Sequence, residues 1–420
     1  MLKRLPSWLL VAVLAATPTL LLITASGGST AFYLTLLLSI AALGCREQAL
    51  DLSAYRKLIV AACLPLAAML LIAVLHGSLS SINLERGLRL ALGMPLLLAG
   101  LQATGPQRLK HVLWGTLAAG WVAIVSLIAL IGTHLSERPL TPEYNAVSYG
   151  NLLLLFGVIN LFSLSWPLTR YRRSEIAFKL LTTLVTFAGF IITQTRSGWL
   201  ALPIFVALAL LVYARFRHPL RLFAALIVVL AGLIAVGSLS PALVKRVELG
   251  RQQLTECEAN PLVNSSICVR LQLWRAAWGM MLDNPIKGVG ASGFSPALQK
   301  MAAEGKVSPY VAEDFGEPHN DMLDALALYG IPGGLALLLL YAIPAVFFLR
   351  RLAYDLPQQV RAAAAMGAST SLGFAAFGLT ELMFRGMRTL GLYVILIALF
   401  AVLSSAANGA RASKKNSPGS

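Results

Sequence analysis

Charge is what this sequence has least of: 12% of its 420 residues are Asp, Glu, Lys or Arg, and acids number only 18 against 34 bases. It has no Walker loop and no nucleophile elbow. No Asp-Xaa-Asp pair occurs, and the first outer loop, around Ala25 to Ser29, holds no acid. These gaps argue against metal-dependent sugar transfer from a lipid carrier. His319, Asp321 and Asp324 lie close together, but spacings of two and five residues do not share a helical face, so no metal site is expected. Cysteine is limited to four residues. Cys45 and Cys63 read as small packing residues. Cys257 and Cys268 read as a disulfide in an oxidising compartment, closing a short loop at a gain of about 2 to 3 kcal/mol. No thiol is then left as a catalytic candidate.

Apolar residues dominate instead, at 57%, with mean hydropathy +0.74. A soluble protein cannot hide that much apolar surface, so the chain reads as an all-α polytopic membrane protein. At roughly 20 apolar residues per crossing, the runs divide into about twelve spans. They are expected near 7–24, 29–44, 58–76, 87–104, 112–131, 151–168, 176–194, 197–214, 222–239, 322–349, 359–379 and 387–406. The eleventh is rich in Ala, Gly and Ser rather than Leu. The first follows Lys3 and Arg4 but exceeds a signal-peptide core in length, and reads as a retained helix. Residues 1–240 thus carry spans one to nine, 241–318 a large loop, 319–406 spans ten to twelve, and 407–420 a disordered tail.

Orientation follows from sorting charge by loop, because Lys and Arg beside short loops stay in the cytoplasm. One set of connections, with both termini, holds 20 cations and four acids, a balance equal to the whole net charge of +16. The other side balances to zero. Both termini are therefore expected in the cytoplasm. The pI near 10.0 reflects topology and contact with anionic membrane lipids, not nucleic acid.

Connections are short except 241–318, so function is expected to concentrate there. Within it, 269–282 has helical periodicity, with Ser265 and Ser266 as candidate caps and a stop at Asn284-Pro285. At about 100° per residue, Arg270 falls in the middle of a face shared with Leu273, Trp274, Ala277, Trp278 and Met281, and Arg275 at its edge. A cation centred on a tryptophan-rich face needs an anionic partner when that face packs. The loop closes with Glu317-Pro318-His319-Asn320-Asp321. Proline suits a first helical turn, so His319 is expected at a helix N-terminus, where free amides favour phosphate and the dipole disfavours imidazolium. His76 and His134 read as structural. Arg196 lies in Thr195-Arg196-Ser197-Gly198-Trp199, a tight turn where Gly198 permits close backbone approach and Ser197 caps the next helix. Two arginines and one histidine on the outer surface suit a diphosphate leaving group and a hydroxyl acceptor.

Four pieces in order resemble the O-antigen ligase and O-antigen polymerase superfamily. They are Thr195-Arg196-Ser197-Gly198-Trp199, Arg270-Leu271-Gln272-Leu273-Trp274, Asn284-Pro285 through Gly288-Val289-Gly290, and His319-Asn320 followed by Gly330-Ile331-Pro332-Gly333. The motifs cover about 195–334, and the twelve-span layout with a late large loop extends the likeness over the chain. The resemblance implies a metal-independent, cofactor-free, inverting glycosyltransferase of GT-C-like architecture, in the bacterial inner membrane with a periplasmic active site. Its donor would be glycan on undecaprenyl pyrophosphate, and its acceptor a sugar hydroxyl of the lipid A-core oligosaccharide, completing lipopolysaccharide. Arg196 and Arg270 would bind the pyrophosphate and His319 would act as general base. Arg275 would assist, with Trp274 and Asn320 also contacting substrate. The short segment 132–150, and the lack of a glycine eleven residues beyond Arg196 or Arg270, favour the ligase branch over polymerases. Protein O-oligosaccharyltransferases usually carry a further domain. A transporter of lipid-linked anions, the competing class, should carry ionisable or broken-helix sites near the midplane, and none is evident in the sequence.

Overall fold

The structure is a computed structural model that describes residues 5–46, 49–132, 145–214, 219–238 and 241–415, and its regular elements are all helices. The first half contains α1 (Leu5–Ile23), α2 (Gly27–Gly44), α3 (Arg56–His76), α4 (Ser81–Thr104), the single turn α5 (Pro106–Leu109), α6 (Leu113–Ile131) and α7 (Ala146–Phe162). Next come α8 (Arg172–Ile192), α9 (Leu202–Tyr213) and α10 (Pro219–Ser238), then four helices of the large loop: α11 (Pro241–Ala259), α12 (Ser266–Asp283), α13 (Phe294–Ala303) and α14 (Pro309–Asp314). α15 (Asp321–Leu349), α16 (Gln358–Phe377) and α17 (Met387–Lys415) complete the order.

Every expected span falls on helix. Among the described residues, nine helical stretches are long and apolar enough to cross a membrane. The span expected over 222–239 falls on α10, whose sequence stays apolar from Leu222 through Val236. Two expected spans fall short for visible reasons: segment 197–214 opens with a 3-10 turn, Ser197–Ala201, before α9, and α16 is rich in Ala, Gly and Ser. α16 is nonetheless central, with its residues from Val360 to Ser371 buried. Small side chains let neighbouring helices approach: a Cβ at Gly367 would stand 2.3 Å from the Phe348 ring of α15. α17 and α7 are the most enclosed spans, at 89% and 83% of their apolar windows, and α3 is the least, at 28%, so it lies at the periphery. α17 runs to Lys415, past the end expected at 406. Ala, Arg and Lys in this stretch sustain helix, so the disordered tail expected over 407–420 is helical as far as Lys415.

The loop helices have a core of their own. Leu273, Ala276 and Met280 of α12 meet Phe294, Leu298 and Val311, and Ala327 and Leu328 of α15 close it. This packing needs a break in α15, where Gly330 has φ 63° and ψ −160°. The break frees backbone groups, and the Asn284–Gly290 stretch takes them up: Val289 N donates to Ala327 O at 2.9 Å, Gly290 N to Leu328 O at 3.0 Å, and Ile331 N to Pro285 O at 2.8 Å. Gly288 and Gly330 allow the approach, since a Cβ on either would fall 2.5 Å from facing backbone. The broken helix that the sequence did not reveal is therefore filled by protein backbone, unlike the open half-helix site of a transporter.

Candidate active site

Arg196 stands on a turn pinned to α7. Thr193 Oγ1 and Thr195 Oγ1 are 2.9 Å apart, Thr195 Oγ1 donates to Ala146 O at 3.1 Å, and Ser197 Oγ donates to Asn151 Oδ1 at 2.8 Å. Ser197 thus anchors the turn and does not cap α9. Gly198 presses on Phe190, where a Cβ would sit 2.5 Å from the ring, so its missing side chain serves packing and not ligand approach. Beside the turn, Gln194 has φ 51°, a left-handed conformation costing a non-glycine residue about 1–2 kcal/mol.

α12 brings Arg270 to the same place. Arg196 and Arg270 line one cavity of about 260 Å³ with Gln194, Gln253 and Ser266. The Cys257–Cys268 disulfide ties α11 to α12 at its edge. Two guanidiniums among amides and hydroxyls suit a multiply charged oxyanion. Arg270 is not central to a packed face, however. The buried stripe of α12 is Val269, Leu273, Ala276 and Met280, about a quarter-turn away, and Trp278 is 48% exposed. Arg275 is exposed some 140° round the helix and lines no described cavity, so the substrate role expected of it has no support in the geometry.

His319 also has a left-handed backbone, φ 49°; it and Gln194 are the two non-glycine residues with positive φ among those described. Such strain persists where the surroundings enforce it and concentrates at functional sites. His319 Nδ1 lies 3.5 Å from Glu381 Oε1 and 3.7 Å from Glu317 Oε1, and the ring meets Phe315 edge-on at 5.9 Å between centroids. Nδ1 thus faces two carboxylates but, buried, makes no hydrogen bond to either.

The helix start differs from the expectation. Asn320 is the N-cap of α15, its Oδ1 accepting from Leu323 N at 3.0 Å and its Nδ2 donating to Leu379 O at 2.9 Å. Asp321 N donates to Gly378 O at 2.8 Å. These amides are occupied, so the helix end is no phosphate pocket, and His319 precedes the cap instead of entering the first turn. Trp274 Nε1 donates to Pro318 O at 3.0 Å. Asn320 and Trp274, expected at substrate, hold the His319 backbone. The Asp321 carboxylate accepts from Tyr341 Oη at 2.9 Å, Met383 N at 3.1 Å and Phe384 N at 3.3 Å, which fixes the connection presenting Glu381 and Arg385. Arg385 pairs with Glu317.

The two groups are neighbours and not one cavity, since His319 does not line the Arg196–Arg270 space. Asn145 links them by donating from Nδ2 to Glu381 Oε2 at 3.4 Å, two residues before Val147 of the cavity wall. Trp274, one turn from Arg270, is the second link. His76 accepts a structural role, its Nε2 lying 3.1 Å from Lys287 O. His134 and most of 132–150 lie outside the described residues. The sequence reading missed Glu381 and Arg385. Their signal is an ionisable residue at the loop-side end of a span, which is weak without knowing which ends converge.

Fold and site define a class: a polytopic, all-helical membrane protein with cations and a carboxylate-flanked histidine gathered at one end of its spans. The O-antigen ligase family profile matches residues 181–338, which supports placement in the O-antigen ligase and polymerase superfamily, whose members are glycosyltransferase-like enzymes. That stretch contains Arg196, Arg270 and His319 but not Glu381 or Arg385. A protein of Haemophilus influenzae described as uncharacterized is 24% identical over 270 residues, which span 63% of this chain and 65% of that relative.

Proposed function

We propose that this protein is an O-antigen ligase that transfers glycan from undecaprenyl pyrophosphate to a sugar hydroxyl of lipid A-core, at the periplasmic face of the bacterial inner membrane. His319 Nε2 takes the proton of the acceptor hydroxyl while its oxygen attacks the anomeric carbon. The bond from that carbon to the diphosphate oxygen breaks, with inversion, and undecaprenyl pyrophosphate leaves. Arg196 and Arg270 grip the diphosphate and balance the charge that grows as it departs. The observation that carries this reading is the strained His319, with both carboxylates on its Nδ1 side, next to a cavity lined by two arginines.

Purified protein incubated with lipid-linked glycan and lipid A-core tests it. Glycan should move to the core. Lengthening of glycan on its carrier would make the protein a polymerase, and no transfer with movement of intact donor across vesicles would make it a transporter. Activity should survive chelation, because the sequence has no Asp-Xaa-Asp pair; a strict divalent-metal requirement would reject metal independence.

A further inference from the structure

The large loop contributes one helix that hardly packs. Among the described residues of α11, all are exposed except Gly250 and Gln253, which are half-buried, and Cys257, which is buried. Spacings of three and four residues put these on one face, so α11 rests on its neighbours through a single stripe. Each end of the stripe has a clear task. A Cβ at Gly250 would stand 3.2 Å from Arg196 Nη1, so the helix backbone comes close to that guanidinium. Cys257 is bonded to Cys268 of α12. Gln253, between them, lines the Arg196–Arg270 cavity.

A helix that packs through so few positions is best served by an apolar side chain in the middle of the stripe. Instead Gln253 Oε1 is shielded from solvent and accepts no hydrogen bond. An orphaned acceptor of this kind is a standing cost to the fold. Diphosphate alone does not relieve it. Arg196 and Arg270 carry only donors, and a diphosphate at neutral pH offers them acceptors, so those partners are matched. A carboxamide oxygen beside the same anion has nothing to accept from it. What it lacks is a hydroxyl or an amide N–H, and on a glycosyl diphosphate only the sugar supplies one. Two ring atoms adjoin the anomeric carbon. The ring oxygen can only accept, whereas the second ring carbon bears a hydroxyl or amide group whose hydrogen can be donated.

We propose that Gln253 determines donor specificity: its Oε1 accepts a hydrogen bond from the group on the second ring carbon of the first sugar, while Arg196 and Arg270 hold the diphosphate. The inference rests on the donor reading given above and names the feature of the donor that is read. Rotation about the terminal amide torsion, which is broad, aims Oε1 into the cavity that the side chain already lines. The wall that carries it is fixed one helical turn away, where Cys257 is bonded to α12. The reach is short, because the second ring carbon is one bond from the carbon that leaves the diphosphate. Positive charge builds on that carbon as the diphosphate departs, and hydrogen bonds at the neighbouring position strengthen as it does.

Transfer by the purified full-length protein from three synthetic undecaprenyl diphosphate sugars to lipid A-core tests the assignment. The donors are alike except at the second ring carbon, which carries a hydroxyl, an acetamido group or hydrogen alone. Gln253→Leu should lower kcat/KM about tenfold with the hydroxyl donor, the acetamido donor or both, and leave the deoxy donor within about twofold of wild type. Comparing variant with wild type on each donor cancels the donors' own differences in reactivity. A loss confined to one of the first two names the group that Oε1 accepts from. If Gln253→Leu unfolds, Gln253→Met, which keeps the length, replaces it with the same expectation. An equal loss on all three donors would give Gln253 to the diphosphate or to the scaffold and overturn the assignment; no loss on any would overturn it as well. Arg270→Ala should weaken all three alike whichever way Gln253 falls. A wild-type protein that uses none of the three sinks the donor reading itself, and the Gln253 assignment with it.

Discussion

The two halves of the candidate site are built on opposite plans. On the α12 side, an exposed Arg196 and a half-buried Arg270 reach from a pinned turn and a helix into about 260 Å³ of space. On the α15 side, the His319 side chain is 21% exposed, and Glu317 and Glu381 beside it are 17% and 6% exposed. Long guanidinium side chains can follow a charge as it shifts position. A ring set by a left-handed backbone and a tryptophan bond to Pro318 cannot follow anything, but it is aimed. Gripping and proton transfer are thus assigned to separate structures, and substitutions should separate them kinetically.

The largest effect should come from the aimed half. His319→Ala is expected to lower kcat by on the order of 10²–10⁴-fold while donor binding stays near wild type, as read by glycan transfer and lipid binding on the same preparation. Substantial residual turnover would reject the general-base role. On the gripping half, Arg196→Ala or Arg270→Ala should each cost about ten- to a hundredfold in kcat/KM, chiefly through donor KM, since a hydrogen bond to a charged group contributes about 1.5–3 kcal/mol. Loss of a folded, monodisperse protein instead would assign that arginine to the scaffold. Glu381→Gln should lower kcat about tenfold with KM unchanged, and Glu381→Asp should restore part of it. A rise in KM with kcat intact would show that the contrast between the halves is false.

This contrast also explains what was legible beforehand. Spans announce themselves by length and hydropathy, and α16, expected over 359–379, gives that signal only weakly because a helix enclosed by other helices needs small residues more than lipid-like ones. Arg196, Arg270 and His319 sit in short motifs, but the glycines around them divide by role: Gly288 and Gly330 serve a backbone splice across a broken helix, and Gly198 packs on Phe190. The wheel that centred Arg270 treated tryptophan as the buried face, whereas α12 packs through its alanines and methionines and leaves Trp278 half in the open. Glu381 stands 62 residues from His319. Convergence over such a separation is a tertiary property, and no local pattern encodes it.

The smallest effect probes whether the halves communicate at all. Trp274 lies one helical turn from Arg270 and donates to Pro318 O, next to His319. Trp274→Phe keeps the ring and its packing but removes the donor, leaving that carbonyl without its partner. A neutral hydrogen bond contributes about 0.5–1.5 kcal/mol, so kcat should fall roughly two- to tenfold. The sharper measurement is a double-mutant cycle with Arg270→Ala on kcat/KM. If movement of α12 toward bound diphosphate is passed through Trp274 to the histidine backbone, the two substitutions will fall short of additivity by about 0.5 kcal/mol or more. Strict additivity would mean that Arg270 binds and His319 aims without reference to one another, and that Asn145 alone, through Glu381, joins the cavity to the base.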